Sequence, residues 1–400
     1  MEWASTLSVT SSHQDGVIEC LSEINSVMDN EPDLVVVFAS PKNVNLLHDL
    51  NKRIDDRFND CTILGCSGLG IIGNGQELEQ KDGIAMAAAT LPGVTVTPFH
   101  ISSNNLPDGD APPEEWESLV GVTRESNPEF ILLGDPFSSQ CENLLMGLDY
   151  AFPESMIIGG LSSGGQQSGL NSLFLDSDTF TEGIVGVALS GNIEIDTIVA
   201  QGCKPIGEPM RITRCNHNLL EGIDDKPPLE VLRNLFSGLS GSDQRLFHHS
   251  LFLGIVMDPF NETPGMGDFL IRNILGSDEV SNRLMVGSYL KEGQIIQFHL
   301  RDSMTSSANL QQMLNTYSTD SSHIPKGSGV LLFSCLGRGQ YLYEEPNHDT
   351  NMFSETVGGL PLTGFFCNGE IGPVGASTFL HGYTSSFGII RPKLTTPETL

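Results

Sequence analysis

Between residues 328 and 375, two short apolar runs each end in a cysteine and then in glycines. Gly329 to Phe333 leads through Ser334 and Cys335 into Leu336, Gly337, Arg338 and Gly339. Gly364, Phe365 and Phe366 lead through Cys367 into Asn368, Gly369, Glu370, Ile371 and Gly372. An apolar run of this length bounded by turn residues reads as a strand buried on both faces, and glycine lets the backbone turn sharply as it leaves the sheet. Such strands need cover above and below, so the chain is constrained to sheets layered with helices. The two turns also gather Cys335, Arg338, Cys367, Asn368 and Glu370, five side chains able to bind or react.

The rest of the chain alternates strand and helix signals. A helix is expected over 14–28, a buried strand over 34–38, a helix over 41–57 capped by Ser40 with Pro41 at its first turn, and a strand over 61–66. That order makes a β-α-β unit with parallel pairing. Ile84 to Thr90 and Val94 to Ile101, joined at Leu91 to Gly93, read as a hairpin. Helices near 114–123 and 139–150 alternate with strands over 129–134 and 155–159, and strands at 171–175, 183–190 and 194–200 follow. Irregular sequence at 203–226 reads as a boundary, giving domains 1–215 and 216–400. Beyond it come a helix near 228–237, strands near 251–256, 267–275, 283–287 and 294–300, and a helix to about 316 capped by Asp302.

A chain of 400 residues exceeds what one core usually supports. The expected fold is α/β with two lobes, each a mixed β-sheet flanked by helices. Four segments share the order strand, small residue, turn: Thr62 to Gly68, Met156 to Gly164, Leu331 to Gly337 and Gly364 to Gly369. Two such turns in each lobe would suggest an ancient duplication.

Composition excludes several classes. The formal charge of −30, from 50 acidic and 20 basic residues, opposes nucleic acid and anionic membranes as partners. The eight cysteines contain no Cys-x-x-Cys pair, so neither a disulfide framework nor structural zinc is expected, and reduced thiols fit a cytoplasmic location. No cofactor or metal is implied. No run of about eighteen apolar residues could span a membrane, and the start lacks the character of a signal peptide. Gly68 to Gly73 has dinucleotide-fingerprint spacing but no helix signal follows, and Gly160 to Gly164 has nucleophile-elbow spacing with the same defect.

The run Gly364 to Pro373, with Leu380 to Thr384 after it and the blocks Asp268 to Gly276 and His299 to Asp302 upstream, resembles the C-terminal half of the FIST family. Gly65, Cys66 and Ser67 carry the companion N-terminal signature. The resemblance implies an intracellular signal-transduction module that senses a small ligand, with amino acids or related metabolites the proposed class. It spans nearly the whole chain, and an F-box or output domain is not expected, so any signal would pass to a separate protein partner. The site residues it suggests are Cys66, Ser67, Arg272, Arg301, Cys335, Arg338, Cys367, Asn368 and Glu370. Asn368 and Glu370 would receive an ammonium; Arg338 or Arg301 would receive a carboxylate, since a guanidinium binds it bidentately. Internal pairing with Glu370 or Asp268 is the rival role for these arginines. An enzyme using Cys335 or Cys367 as nucleophile, and an interaction scaffold, are the competing functions.

Overall fold

The computed structural model describes residues 1–10, 13–41, 58, 61–261, 263–320 and 324–394. Two compact units emerge. The larger takes residues 1–199, 313–380 and 384–400; the smaller takes 200–312 and 381–383.

The larger unit repeats one plan three times. The first repeat runs β1 (Glu2–Ser8), α1 (His13–Val27), β2 (Leu34–Ala39), β3 (Thr62–Ser67), a hairpin of β4 (Ile71–Gly73) and β5 (Gln76–Leu78), then β6 (Ile84–Thr90). The second runs β7 (Val94–Ile101), α2 (Pro113–Val120), β8 (Glu129–Gly134), α3 (Cys141–Ala151), β9 (Ile157–Leu161), a hairpin of β10 (Leu173–Leu175) and β11 (Asp178–Phe180), then β12 (Ile184–Gly191). The third opens with β13 (Glu194–Ala200) and is interrupted in sequence by the strands and helices of the smaller unit. These are β14 (Cys203–Asn216), β15 (Leu219–Ile223), α4 (Pro228–Gly238), α5 (Gly241–Phe247), β16 (Leu251–Val256), β17 (Phe269–Asp278), β18 (Arg283–Val286) and β19 (Ile295–Arg301). After α6 (Ser303–Asp320) the repeat resumes with β20 (Gly329–Cys335), α7 (Gln340–Tyr343), α8 (His348–Thr356) and β21 (Leu362–Cys367). A hairpin of β22 (Gly369–Val374) and β23 (Ser377–His381) and then β24 (Ser385–Arg391) complete it.

Each repeat builds a six-stranded sheet, and each borrows its last two strands. The orders are β1-β6-β2-β3-β10-β11, β7-β12-β8-β9-β22-β23 and β13-β24-β20-β21-β4-β5. The central pairs β2/β3, β8/β9 and β20/β21 are parallel. The second repeat lends its hairpin to the first, the third to the second and the first to the third, so the exchange is cyclic. Register agrees with this equivalence: Ala39, Gly134 and Ser334 oppose Ile84, Ile184 and Ser385 on one side, and Ser67, Leu161 and Phe366 on the other.

The same equivalence explains the recurring glycines. Two residues upstream of Ser67, Leu161 and Phe366 lie Gly65, Gly159 and Gly364. A Cβ there would fall 2.3, 1.9 and 1.8 Å from the carbonyl oxygens of Val37, Leu132 and Leu332. The paired strands approach too closely at these points for any side chain. All four strand-and-turn segments therefore belong to one unit, rather than two to each lobe.

In the smaller unit β14-β15-β18-β17-β16-β19 form a closed barrel in which every pairing is antiparallel. The α/β class and the two-lobe organisation hold. Two local expectations do not. β6 and β7 make no hairpin: β6 is buried along almost its whole length between β1 and β2, leaving no free edge, while the alternating, half-exposed β7 pairs with β12. The stretch 203–226, expected to be irregular, is regular instead and supplies β14 and β15. Its Gly207, Glu208 and Pro209 sit where the register with β19 shifts, between Ile206 and Met210, which is how a strand accommodates such residues. Gly68 to Gly73 leads into the β4–β5 hairpin, whose turn residues Asn74 and Gly75 both have positive φ. The helix expected over 41–57 lies outside the described residues.

Candidate functional site

The two signature turns are neighbours. Cys335 and Cys367 oppose one another at the ends of β20 and β21, and Leu336 donates its N–H to Cys367 O at 3.1 Å. Beside them the ends of β3, β9 and β21 form a ring of hydrogen bonds in the larger unit. Ser163 N–H reaches Ser67 O (3.1 Å) and Asn368 N–H reaches Leu161 O (3.0 Å). The third link runs through a side chain: Leu69 N–H donates to Ser163 Oγ (2.8 Å), and that hydroxyl donates to Phe366 O (2.5 Å). Cys66, Ser67, Cys335, Cys367, Asn368 and Glu370 are thus held in one group of strand ends.

Burial decides what this group can do. Cys66, Ser67, Cys367 and Glu370 are buried and Cys335 is half-buried, whereas Asn368 is exposed and donates Nδ2–H to Ser162 O at 2.8 Å. Burial pushes the Cys66 and Cys367 thiols well up, with Glu370 adding to the effect on Cys367. Such thiols stay protonated and are poor nucleophiles. Glu370 accepts the N–H of Thr384 with Oε2 at 3.1 Å.

Arg338 serves an internal pair, with Asp349 rather than Glu370 or Asp268. Fully buried, it donates Nε–H to Asp349 Oδ2 (2.8 Å) and Nη2–H to Oδ1 (3.2 Å). His348 Nδ1 lies 2.9 Å from Oδ1, and Ser385 Oγ also donates to the carboxylate. Burial opposes the Asp349 charge, yet Arg338 and these hydrogen bonds hold its carboxyl well below the usual range. Sequence reasoning missed Asp349. Pro346 and Asn347 ahead of it mark a helix start, a signal that could have placed Asp349 in the first turn of α8.

In the smaller unit the register separates Arg272 from Arg301. Leu253 opposes Arg272 and Phe298, while Phe252 opposes Asn273 and His299. Strand side chains alternate, so Arg301 shares the face of His299 and Asn273, and Arg272 lies on the other. Arg272 donates Nη1–H to Ile271 O at 3.2 Å. Arg301 is only 7% exposed, its guanidinium carbon lies 4.9 Å from the centre of the Tyr383 ring, and Nε and Nη2 have no hydrogen-bond partner among the described residues. Those two nitrogens form the edge by which Arg338 grips Asp349. Tyr383 holds a φ of 66°, uncommon for a bulky side chain, while its ring packs on Phe252 and its hydroxyl donates to Asn273. Burial pushes the neighbouring His299 down to about 4, so this imidazole is neutral near pH 7. As expected of a cap, Asp302 accepts the Thr305 N–H at 2.8 Å. Among the described residues no group of three His, Cys, Asp or Glu could hold a metal, and no helix is long and apolar enough to cross a membrane.

Comparison with known proteins agrees with these strand-end signatures. Residues 33–226 match the FIST N domain and residues 228–373 the FIST C domain. The chain belongs to the FIST family. FIST domains are generally sensory domains of signal transduction. An uncharacterized protein of Mycobacterium tuberculosis is 32% identical over 360 residues, covering 90% of this chain and 91% of the relative. One of Mycobacterium bovis is 30% identical over 361 residues, 90% of each. An F-box/LRR-repeat protein of Arabidopsis thaliana is 24% identical over 313 residues, 66% of this FIST chain and 58% of the plant protein. The boundary between the FIST N and FIST C matches falls between β15 and α4, inside the smaller unit, so the compact units follow a different division of the chain.

Proposed function

We propose that this FIST protein is a non-enzymatic sensory module whose small ligand presents a carboxylate to Arg301, with amino acids and related metabolites the ligand class. The supporting observation is the Nε and Nη2 edge of Arg301, which has no hydrogen-bond partner among the described residues. A buried guanidinium left without an anion costs several kcal/mol, on the order of the 3–5 kcal/mol seen when a buried pair loses one partner. A ligand carboxylate would relieve that cost with two charge-assisted bonds in one plane. No basic side chain needs to be added, and the neutral His299 contributes no competing charge. The burial of Cys66 and Cys367 speaks against thiol catalysis there, and occupancy would be passed on to a protein partner.

The test is a melting-temperature panel of amino acids and 2-oxo acids alongside their neutral amides. The expected result is stabilisation by at least one carboxylate and by no matching amide, reaching about 2.7 kcal/mol when its concentration is about 100 times Kd. Equal shifts with acid and amide, or none with any compound, would contradict the reading.

A further inference from the structure

Hairpin β4–β5 fastens a helix that belongs to another repeat. Glu77 donates its backbone N–H to Asn347 Oδ1 (2.7 Å), and its Oε1 accepts the N–H of Thr350 (2.9 Å) in the first turn of α8. Just beyond β5, Glu79 accepts the Gln340 N–H (2.8 Å) at the start of α7. These carboxyls cap helix ends that would otherwise expose unpaired amides. Glu77 is only 8% exposed, and its second oxygen, Oε2, has no hydrogen-bond partner among the described residues.

The charged groups that face Glu77 are both acidic: Asp349 from α8 and Glu79 from its own hairpin. Arg338, from the turn after β20, is engaged by Asp349; His348 bonds Asp349 and stacks on Tyr343 of α7. A charge on Glu77 would therefore be buried beside another carboxylate with no cation of its own among the described residues.

We propose that Glu77 is a proton-operated latch, fastening the N-terminus of α8 to hairpin β4–β5 while neutral and releasing it when ionised. Burial first, and then the Asp349 charge, push its carboxyl up to about 8 from the ordinary 4.5. The closed latch holds a proton that an open, hydrated Glu77 gives up. Its stability is therefore full below about pH 4.5 and is lost as pH rises towards about 8, with opening about tenfold easier per pH unit across that window and level above it. Because Asp349 also binds Arg338 and Ser385, release would loosen the turn after Cys335. The latch lies in the larger unit, and the inference does not rest on the ligand proposed for Arg301.

Hydrogen–deuterium exchange of the full chain from pH 5 to 9, corrected for intrinsic rates, reads the latch directly. In the wild type, protection of residues 348–357 should fall about tenfold per pH unit up to about pH 8 and then level off. Glu77→Gln keeps an acceptor for Thr350 but cannot ionise, so its profile should be flat, while Glu79→Gln should keep the wild-type slope. A flat wild-type profile, or a slope that persists in Glu77→Gln, overturns the proposal. Should Glu77→Gln fail to fold, the other two profiles decide: a wild-type slope retained in Glu79→Gln supports the latch, and its loss in Glu79→Gln overturns it.

Discussion

Arg338 and Arg301 offer the same guanidinium edge under opposite circumstances. One is filled by Asp349 and the other carries no partner among the described residues. For Arg338 the account predicts that Asp349→Ala, which strands a buried cation, lowers stability by about 3–5 kcal/mol in urea unfolding. A loss below about 1 kcal/mol, the scale of an exposed pair, would show that the pair does not hold the turn. Both arginines stood out in the sequence, as rare basic residues within recognisable blocks. Their partners did not. Asp349 reaches Arg338 only because the chain after Cys335 doubles back through α7 and α8, a path no local pattern specifies. Arg272 and Arg301 can be assigned to opposite faces only once the β16 register is known.

At the scale of elements, the buried strands were readable because both faces are apolar, and the glycines within them recurred visibly. Why glycine is required was not readable, since the obstacle is a carbonyl on a neighbouring strand. The account predicts that Gly65→Ala, Gly159→Ala and Gly364→Ala each strongly destabilise the fold. The predicted loss is about 3 kcal/mol or more, because a Cβ within 2.3 Å of a backbone oxygen forces two central strands apart. Gly109→Ala, with nothing within 4 Å, should change little. Urea midpoints would check the set, and a tolerated alanine at any of the three equivalent positions would contradict the threefold repeat. The hairpin expected between β6 and β7 failed for a related reason. Proximity in sequence suggests pairing, but β6 already had strands on both edges, and hairpin exchange between repeats is a long-range event invisible to a local pattern.

For the whole molecule, the chain places a barrel in the middle of the third repeat, so sequence order and compact units diverge. A sequence reading finds two lobes because 400 residues demand them, yet it cannot see a body closed by strands from both ends of the chain. The barrel carries the buried Arg301 edge, without a hydrogen-bond partner among the described residues, on which the functional reading rests. Replacing it has an unusual signature: Arg301→Met removes a buried charge whose Nε and Nη2 have no partner among the described residues while keeping apolar volume, so the variant should gain stability. The decisive measurement is therefore the melting temperature of wild type and Arg301→Met, each with and without the stabilising carboxylate. The account predicts a variant more stable than wild type on its own and indifferent to the carboxylate. A variant that melts lower, or that still responds, would show that Arg301 serves the fold and not a ligand.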